Sequence, residues 1–131
     1  MGLSLNLKTV PGRYAIARLK PDADIPDWVN GPGFVSTSRA DDELTVVCLE
    51  DRIPSGTEID GDWTCLRSIG PFEFGAAGIV YSLIGPLSTN GIGVFVICTF
   101  DGEHMLISAK DTEKAMALLV DAGHNFDANA A

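Results

Sequence analysis

The second half of the chain carries an ordered series of strand and helix patterns, and this order restricts the fold more than any other feature. Strand segments alternate apolar and polar residues, whereas helical segments repeat their apolar residues every three or four positions. The five segments are the strand pattern 63–69, the helix pattern 76–90, the strand patterns 92–99 and 105–108, and the helix pattern 111–122. This order predicts the βαββα part of a ferredoxin-like unit of the α+β class, with an antiparallel sheet and helices on one face.

The ends of the two helix patterns carry their own signals. Gly91 is placed to adopt the left-handed conformation that ends the first helix. Pro86 lies inside that helix and lacks the amide that would bond the carbonyl of Ser82, so we expect a bend or a loosened last turn. Asp111 is the expected N-cap of the second helix, which Gly123 ends.

The predicted unit lacks its closing strand. Only HNFDANAA follows Gly123, which leaves one edge of the sheet without a neighbour. We expect a strand from elsewhere in the chain to cover this edge, with Leu3–Lys8 as the candidate. The two halves of the chain would then be interlocked by strand exchange.

The first half of the chain repeats part of the pattern. A strand pattern at 13–19 and a short turn or helix at 24–30 precede strand patterns at 34–38 and 43–50, which enclose the polar tip 39–42. This hairpin can be laid over the later one without a gap, since Phe34 falls on Phe95 and Val46 on Ile107 at a constant offset of 61. We therefore predict an internal duplication, with an N-terminal unit at 1–62 that has abbreviated helices and a C-terminal unit at 63–131.

Charge and hydropathy exclude several classes of function. The 131 residues carry a net charge of −9, without the basic stripe that nucleic acids or anionic membranes require. No apolar stretch approaches the roughly 20 residues of a membrane-spanning helix. Residues 1–10 do not resemble a signal peptide, so we expect a cytoplasmic protein.

Reactive side chains do not form a convergent set. The three cysteines lie in strand patterns without ligand spacing, and we expect buried, reduced thiols. A Cys98–His104 nucleophile pair lacks an orienting carboxylate, and no histidine has the compact spacing of a zinc site. The run 41–43 is predicted to be a solvated hairpin tip. We therefore expect no catalysis, no metal and no cofactor.

Short motifs in the second half resemble the ACT domain, in the paired form found in aspartate kinase regulatory regions and cytosolic arginine sensors. The resemblance depends on the order and spacing of the motifs more than on any one of them. They are Gly70-Pro71-Phe72-Glu73-Phe74, Gly78-Ile79, Pro86-Leu87, Asn90-Gly91-Ile92, Thr99-Phe100 and Met105-Leu106-Ile107. The resemblance implies a regulatory fold that binds a small effector, usually an amino acid, where units meet.

The resemblance also implies which residues bind the effector. They belong to the loop before the first helix, the loop after it, and the later hairpin: Phe74, Gly75, Ala76 and Gly78; Asn90, Gly91 and Ile92; Thr99, Phe100 and Glu103. Free amides at the helix start can receive a carboxylate, while Glu73 or Glu103 can pair with an ammonium or guanidinium group. The chain has Cys98 and Glu103 where relatives commonly have serine and aspartate.

Two hypotheses about function follow. The first is a regulatory protein that binds a free amino acid or related metabolite, forms a homodimer and acts on a protein partner. The second, prompted by the departures at Cys98 and Glu103, is a docking module for protein–protein interaction on a degenerate ACT scaffold that binds no ligand.

Overall fold

The structure, a computed structural model, describes residues 3–69 and 77–126. They form two compact units: a hairpin unit of residues 11–63 and a helical unit of residues 3–10, 64–69 and 77–126. The strands are β1 Asn6–Leu19, β2 Ser36–Arg39, β3 Leu44–Leu49, β4 Glu58–Ser68, β5 Val94–Thr99, β6 Gly102–Ser108 and β7 Asn125–Phe126. The α-helices are α1 Ile79–Ser88 and α2 Thr112–Asp121, and single 3-10 turns lie at Asp27–Val29, Glu50–Arg52 and Ala109–Asp111.

The helical unit has the strand order β7-β1-β4-β6-β5, with α1 and α2 packed on the sheet. Residues of β6 are buried on both faces of the sheet. The core combines strand and helix residues: Leu5, Leu7, Leu66, Ile79, Leu83, Leu87, Ile92, Met105, Ile107, Ala115 and Leu119. The mixed architecture, with two helices and an antiparallel β5–β6 pair, agrees with the predicted α+β class.

The first helix is shorter than its pattern, since α1 occupies 79–88 rather than 76–90. Gly91 has a φ of +79°, which confirms its prediction as the left-handed residue after the helix. The amide of Thr89 still donates to the carbonyl of Gly85 at 3.0 Å, so hydrogen bonding continues beyond Pro86. The Ser82 carbonyl, which Pro86 cannot bond, lies 2.9 Å from Nε2 of His124.

The second helix starts close to its predicted position. Asp111 occupies the N-cap position, but its side chain makes no capping hydrogen bond. The hydroxyl of Thr112 instead donates to the carbonyl of Ala109 at 2.9 Å. Gly123, with a φ of +104°, follows the helix as expected.

The predicted strand patterns 92–99 and 105–108 imply a polar tip at 100–104 in the later hairpin, and this prediction is wrong. Thr99 pairs with Gly102, so the tip holds two residues and 102–104 belong to β6. Polar residues are expected in an exposed tip, but Glu103 and His104 are buried within strand β6. In the earlier hairpin Arg39 pairs with Leu44 across four residues, so the two hairpins do not superpose without a gap.

The hairpin unit has the strand order β2-β3-β1-β4 and a smaller core. Its buried apolar residues are Ala17, Val29, Leu44, Val46 and Cys48. Val29 reaches this core from the 3-10 turn at Asp27–Val29, which lies within the short turn or helix predicted at 24–30. The strands β1 and β4 begin before their predicted starts at 13 and 63. The sequence did not predict these earlier starts because the first residues of both strands are mostly exposed and lack an alternating pattern.

The segment 3–8 contributes to the helical unit. The amide of Ile69 donates to the carbonyl of Asn6 at 2.9 Å, and Asn6 and Leu7 pair in parallel with β7. The amide of Asn125 also donates to the carbonyl of Leu5 at 2.9 Å. Residues 6 and 7 therefore lie between β4 and β7.

The cysteines do not all lie in the interior. Cys48 and Cys65 are buried free thiols, but Cys98 is exposed, contrary to expectation, because it lies near the tip on β5, whose neighbour in this unit is β6. Burial raises the pKa of Cys65 to about 12, against the opposing effect of Arg67, so this thiol stays protonated at neutral pH. Neither described α-helix has the length and apolar character needed to cross a membrane.

Candidate functional site

The C-terminal end of β4 holds a buried polar pair that the sequence did not reveal. The hydroxyl of Ser68 donates to Oε1 of Glu103 at 2.8 Å, and it accepts the amide of Glu103 at 2.8 Å. Ser68 is fully buried and Glu103 is 8% exposed. Burying a carboxylate is unfavourable unless charge or hydrogen bonds compensate it, and this hydroxyl supplies one such bond.

The residues predicted to bind a ligand fall into two groups. Glu103, Thr99 and Phe100 lie at the tip end of the β5–β6 hairpin, where β4 also ends. Gly78 directly precedes α1, whose ten residues span about 15 Å. Asn90, Gly91 and Ile92 follow the opposite end of α1 and precede β5, so the structure separates them from Gly78. Phe74, Gly75 and Ala76 lie outside the described residues.

The exposures of these residues differ widely. The Phe100 side chain is 76% exposed, and Thr99, Asn90 and Gly91 are exposed, whereas Ile92 belongs to the core. Thr99 donates from its hydroxyl to the carbonyl of Gly102 at 3.1 Å, which stabilises the two-residue tip. Among the described members of the predicted set, Ile92 and Glu103 are buried and the others are exposed.

A cavity of about 710 Å³ follows one side of α1 and begins at the predicted residue Gly78. Gly78 has a φ of +85°, which side chains rarely adopt, and a Cβ there would lie 3.9 Å from Leu3. The Tyr81 ring is 76% exposed. The remaining described lining residues are Ala77, Ser82, Ile84, Gly85, Pro86, Ser88, Thr89, Ala122 and His124.

Two hydroxyls of this cavity already have partners. Ser82 donates its hydroxyl to the carbonyl of Ile79 at 2.7 Å, and Thr89 donates its hydroxyl to the carbonyl of Gly85 at 2.8 Å. No Asp, Glu, Lys or Arg is among the described lining residues. The cavity therefore suits an apolar group, and the charges of a zwitterion would have to be met beyond its described walls.

His124 joins three elements at the cavity wall. Its Nδ1 accepts the amide of Leu5 at 3.1 Å, and the Ser82 carbonyl can only accept, so Nε2 carries the proton that it donates. These two bonds fix the tautomer with hydrogen on Nε2. The side chain is 2% exposed and connects the start of β1 and the end of α2 to α1.

Two family models match the chain. Residues 58–121 match the model of the ACT domain. Residues 12–56 match a second model, which describes an N-terminal domain. Residues 58–121 of this chain are an ACT domain. The resemblance identified from the motifs of residues 70–107 is thereby confirmed.

Several solved structures have a similar fold. Atu0741 of Agobacterium tumefaciens is 51% identical, with 96% of this chain and 94% of that chain covered and a TM-score of 0.92. VC0802 of Vibrio cholerae is 18% identical over 92% and 91% of the two chains, with a TM-score of 0.76. The regulatory subunit of Thermus thermophilus aspartate kinase is 13% identical over 86% and 98%, with a TM-score of 0.56. No curated protein matches the chain significantly.

The similarity to the last two structures concerns the fold. The ACT match begins at the first residue of β4 and ends at the last residue of α2, so it contains the strand, helix, hairpin and helix that the sequence pattern predicted. It also contains Ser68, Gly78 and Glu103.

Sequence reasoning missed Ser68, Tyr81 and His124 as residues of this region. The signal for His124 was present, because Pro86 leaves the Ser82 carbonyl in need of a donor. No comparable signal identified Ser68, since a serine in a strand pattern is ordinarily expected to face solvent.

Proposed function

We propose that this ACT protein is a regulatory protein that binds a free amino acid at the end of the helical unit where β4 ends and α1 begins. The observation that supports the proposal is the ACT match over 58–121, a range that includes both Gly78 and Glu103. In this proposal the amides before α1, from Phe74, Gly75 and Ala76 to Gly78, receive the carboxylate.

Glu103 is the proposed partner of the ligand's ammonium group. The carboxylate of Glu103 is largely buried. Among the described residues, the side chain that donates a hydrogen bond to it is that of the neutral Ser68. A cation beside a buried carboxylate forms the kind of charge-assisted pair that offsets its desolvation. The apolar side chain of the ligand would then enter the α1 cavity from Gly78.

We further propose that both units are ACT-like and share strands. Segment 3–8 lies between β4 and β7, and β4 begins within residues of the hairpin unit, which supports an interlocked arrangement of tandem ferredoxin-like units. Asn90 and Gly91, which lie far from Gly78 within one unit, would reach the ligand from a second copy of the chain, whereas Ile92 is part of the core.

A homodimer follows from this arrangement. In the helical unit β5 is the last strand of the order, with β6 as its neighbour. The unpaired backbone groups of such an edge pair readily with the same strand of a second copy. Sedimentation equilibrium at micromolar concentration should give twice the chain mass; a monomer would contradict this part of the proposal.

Thermal unfolding with each of the twenty amino acids tests the binding proposal. A ligand that binds the native state alone, at about 100 times its dissociation constant, adds about 2.7 kcal/mol of stability. Glu103→Gln keeps an oxygen for Ser68 but removes the charge, so it should abolish the stabilisation, while Glu113→Gln on the exposed side of α2 should keep it.

The second candidate is a docking module without a ligand, acting through a regulated protein partner. The two hydrogen bonds between the Ser68 hydroxyl and Glu103 favour this candidate, because they give the buried glutamate a structural role without a ligand. No stabilisation by any of the twenty amino acids would support this candidate and contradict the first.

A further inference from the structure

Three basic residues far apart in the sequence form one row across the sheet of the helical unit. Lys8 lies on β1, Arg67 on β4 and His104 on β6, which are successive neighbours in the strand order. The hydrogen bond from Ile69 to Asn6 joins the end of β4 to the start of β1, so the two strands run in opposite directions and Lys8 lies opposite Arg67. We call these three residues the basic row.

The register of β4 and β6 completes the row. Ser68 contacts both the amide and the carboxylate of Glu103, which places these two residues side by side. In neighbouring antiparallel strands the preceding and following residues then also lie side by side, so Arg67 is beside His104.

All members of the row point away from the helices. Their neighbours Leu7, Leu66 and Met105 belong to the core under α1 and α2. Because successive side chains of a strand alternate between faces, Lys8, Arg67 and His104 occupy the opposite face. Glu103 and its partner Ser68 face the helices, so the proposed amino-acid site lies on the other side of the sheet.

The electrostatics of the row are repulsive. The pKa of His104 is lowered to about 4, first by burial and then by the positive charges of Arg67 and Lys8. Like charges opposite each other on neighbouring strands destabilise a sheet. On the same face, β5 contributes the uncharged Ile97 beside His104, and β4 contributes Cys65, whose thiol stays protonated.

Neither Lys8 nor Arg67 has an acidic ion-pair partner among the described residues. The two ion pairs there are Arg13–Asp62 and Arg18–Glu58, neither of which includes Lys8 or Arg67. Nε of Arg67 is buried and has no hydrogen-bond acceptor within the described part of the chain. Lys8 and Arg67 nevertheless remain half-buried rather than fully enclosed, so solvent reaches the row.

We propose that the basic row binds one oxyanion, the carboxylate or phosphate group of a small molecule. The planar guanidinium of Arg67 offers two parallel donors to such a group, and Lys8 adds a second positive charge. The protein carries a net charge of −9, so two cations kept together without a described acid are a specific arrangement. Three residues suit a single anionic group and not a polyanion such as nucleic acid.

The ring resonances of His104 provide a direct test. The chain has two histidines, and the spectrum of His104→Gln assigns them. We expect inorganic phosphate or succinate, added at constant ionic strength, to cause a saturable shift of the His104 resonance. A bound anion should raise the pKa of His104 by about one pH unit, which corresponds to a tenfold coupling between anion and proton.

Variants locate the anion. Arg67→Gln should weaken the apparent affinity at least about tenfold, and Lys8→Gln should weaken it as well, whereas Lys114→Gln on the exposed side of α2 should have no effect. Saturation by phosphate alone or by succinate alone identifies which oxyanion the row prefers. If Arg67→Gln does not fold, Lys8→Gln provides the same test.

Two outcomes would overturn the proposal: a wild-type His104 resonance that does not respond saturably to either anion, or an equal affinity in the row variants and in Lys114→Gln. Neither outcome bears on amino-acid binding, which the Glu103→Gln variant tests on the other face of the sheet.

Discussion

The two units of this ACT protein stabilise their sheets by different means. In the helical unit, α1 and α2 cover the sheet and supply about half of the buried apolar core. In the hairpin unit, the connection between β1 and β2 contains a single 3-10 turn, which contributes Val29 to a core of five buried residues.

Side-chain hydrogen bonds to the backbone hold the long connection of the hairpin unit. Arg52 donates to the carbonyls of Pro32 and Val29, at 2.8 and 3.2 Å. Arg39 donates to the carbonyls of Pro21 and Ala23, and the amide of Phe34 donates to the hydroxyl of Tyr14 at 2.9 Å. The comparison shows that arginine side chains can hold a connection in place by donating hydrogen bonds to its backbone carbonyls, where no α-helix supplies those bonds.

The largest effect should come from the core of the helical unit. Leu83→Ala removes a fully buried side chain from the contact between α1 and the sheet, and we expect it to lower the free energy of unfolding by about 3 kcal/mol. Urea denaturation measures this loss. A loss below about 1 kcal/mol would show that α1 is not part of the stabilising core.

The pH dependence of stability tests the basic row. Because the pKa of His104 is about 4 in the native state, against an ordinary value of 6.5, the unfolded chain binds a proton that the native protein does not. The free energy of unfolding should therefore fall between about pH 6.5 and pH 4, by on the order of 2 kcal/mol from this group.

His104→Gln should remove that component of the pH dependence. His124 remains in both proteins, so the difference between their urea denaturation curves at pH 7.5 and pH 5 isolates His104. Equal pH dependence in the two proteins would contradict the account of the row.

The arginine bonds of the hairpin unit should have an intermediate effect. Arg52→Met keeps most of the apolar stem but removes both donors, and we expect a loss of about 2 kcal/mol because two backbone carbonyls lose charged partners. Hydrogen exchange should show faster exchange near Val29 in this variant. Unchanged stability and exchange would mean that the segment does not depend on Arg52.

The smallest effect should come from an exposed ion pair of the same unit. Arg13 lies 2.9 Å from Asp62, with side chains 57% and 77% exposed. Arg13→Gln should change the free energy of unfolding by less than about 0.5 kcal/mol, since solvent screens such pairs. Arg13→Gln therefore serves as the matched control for Arg52→Met. An equal loss of stability in the two variants would contradict the view that the bonds from Arg52 to the backbone stabilise the unit more than an exposed ion pair does.

Much of the helical unit could be predicted because its residues alternate or repeat regularly. The positions of α1, α2 and the later hairpin follow from apolar spacing, and Gly91 follows from the end of that spacing. The hairpin tip could not be predicted, because Glu103 and His104 are polar residues buried by tertiary partners: Ser68 lies 35 positions from Glu103, and Arg67 lies 37 from His104.

The candidate site was predictable in part for the same reason. The motif resemblance included Gly78 and Glu103 in the predicted ligand-binding set, and it depends on local order. The basic row consists of residues 8, 67 and 104, which no local pattern connects, and only the strand order brings them together.

Amide spectra of the protein with a mixture of the twenty amino acids test the central claim most directly, because they compare the two units in one sample. The account predicts saturable shifts at Ser68, Gly78 and Glu103, with the amides of residues 14–49 unchanged. Shifts confined to the hairpin unit, or no shift at the end of β4, would contradict the assignment of ligand binding to the helical unit.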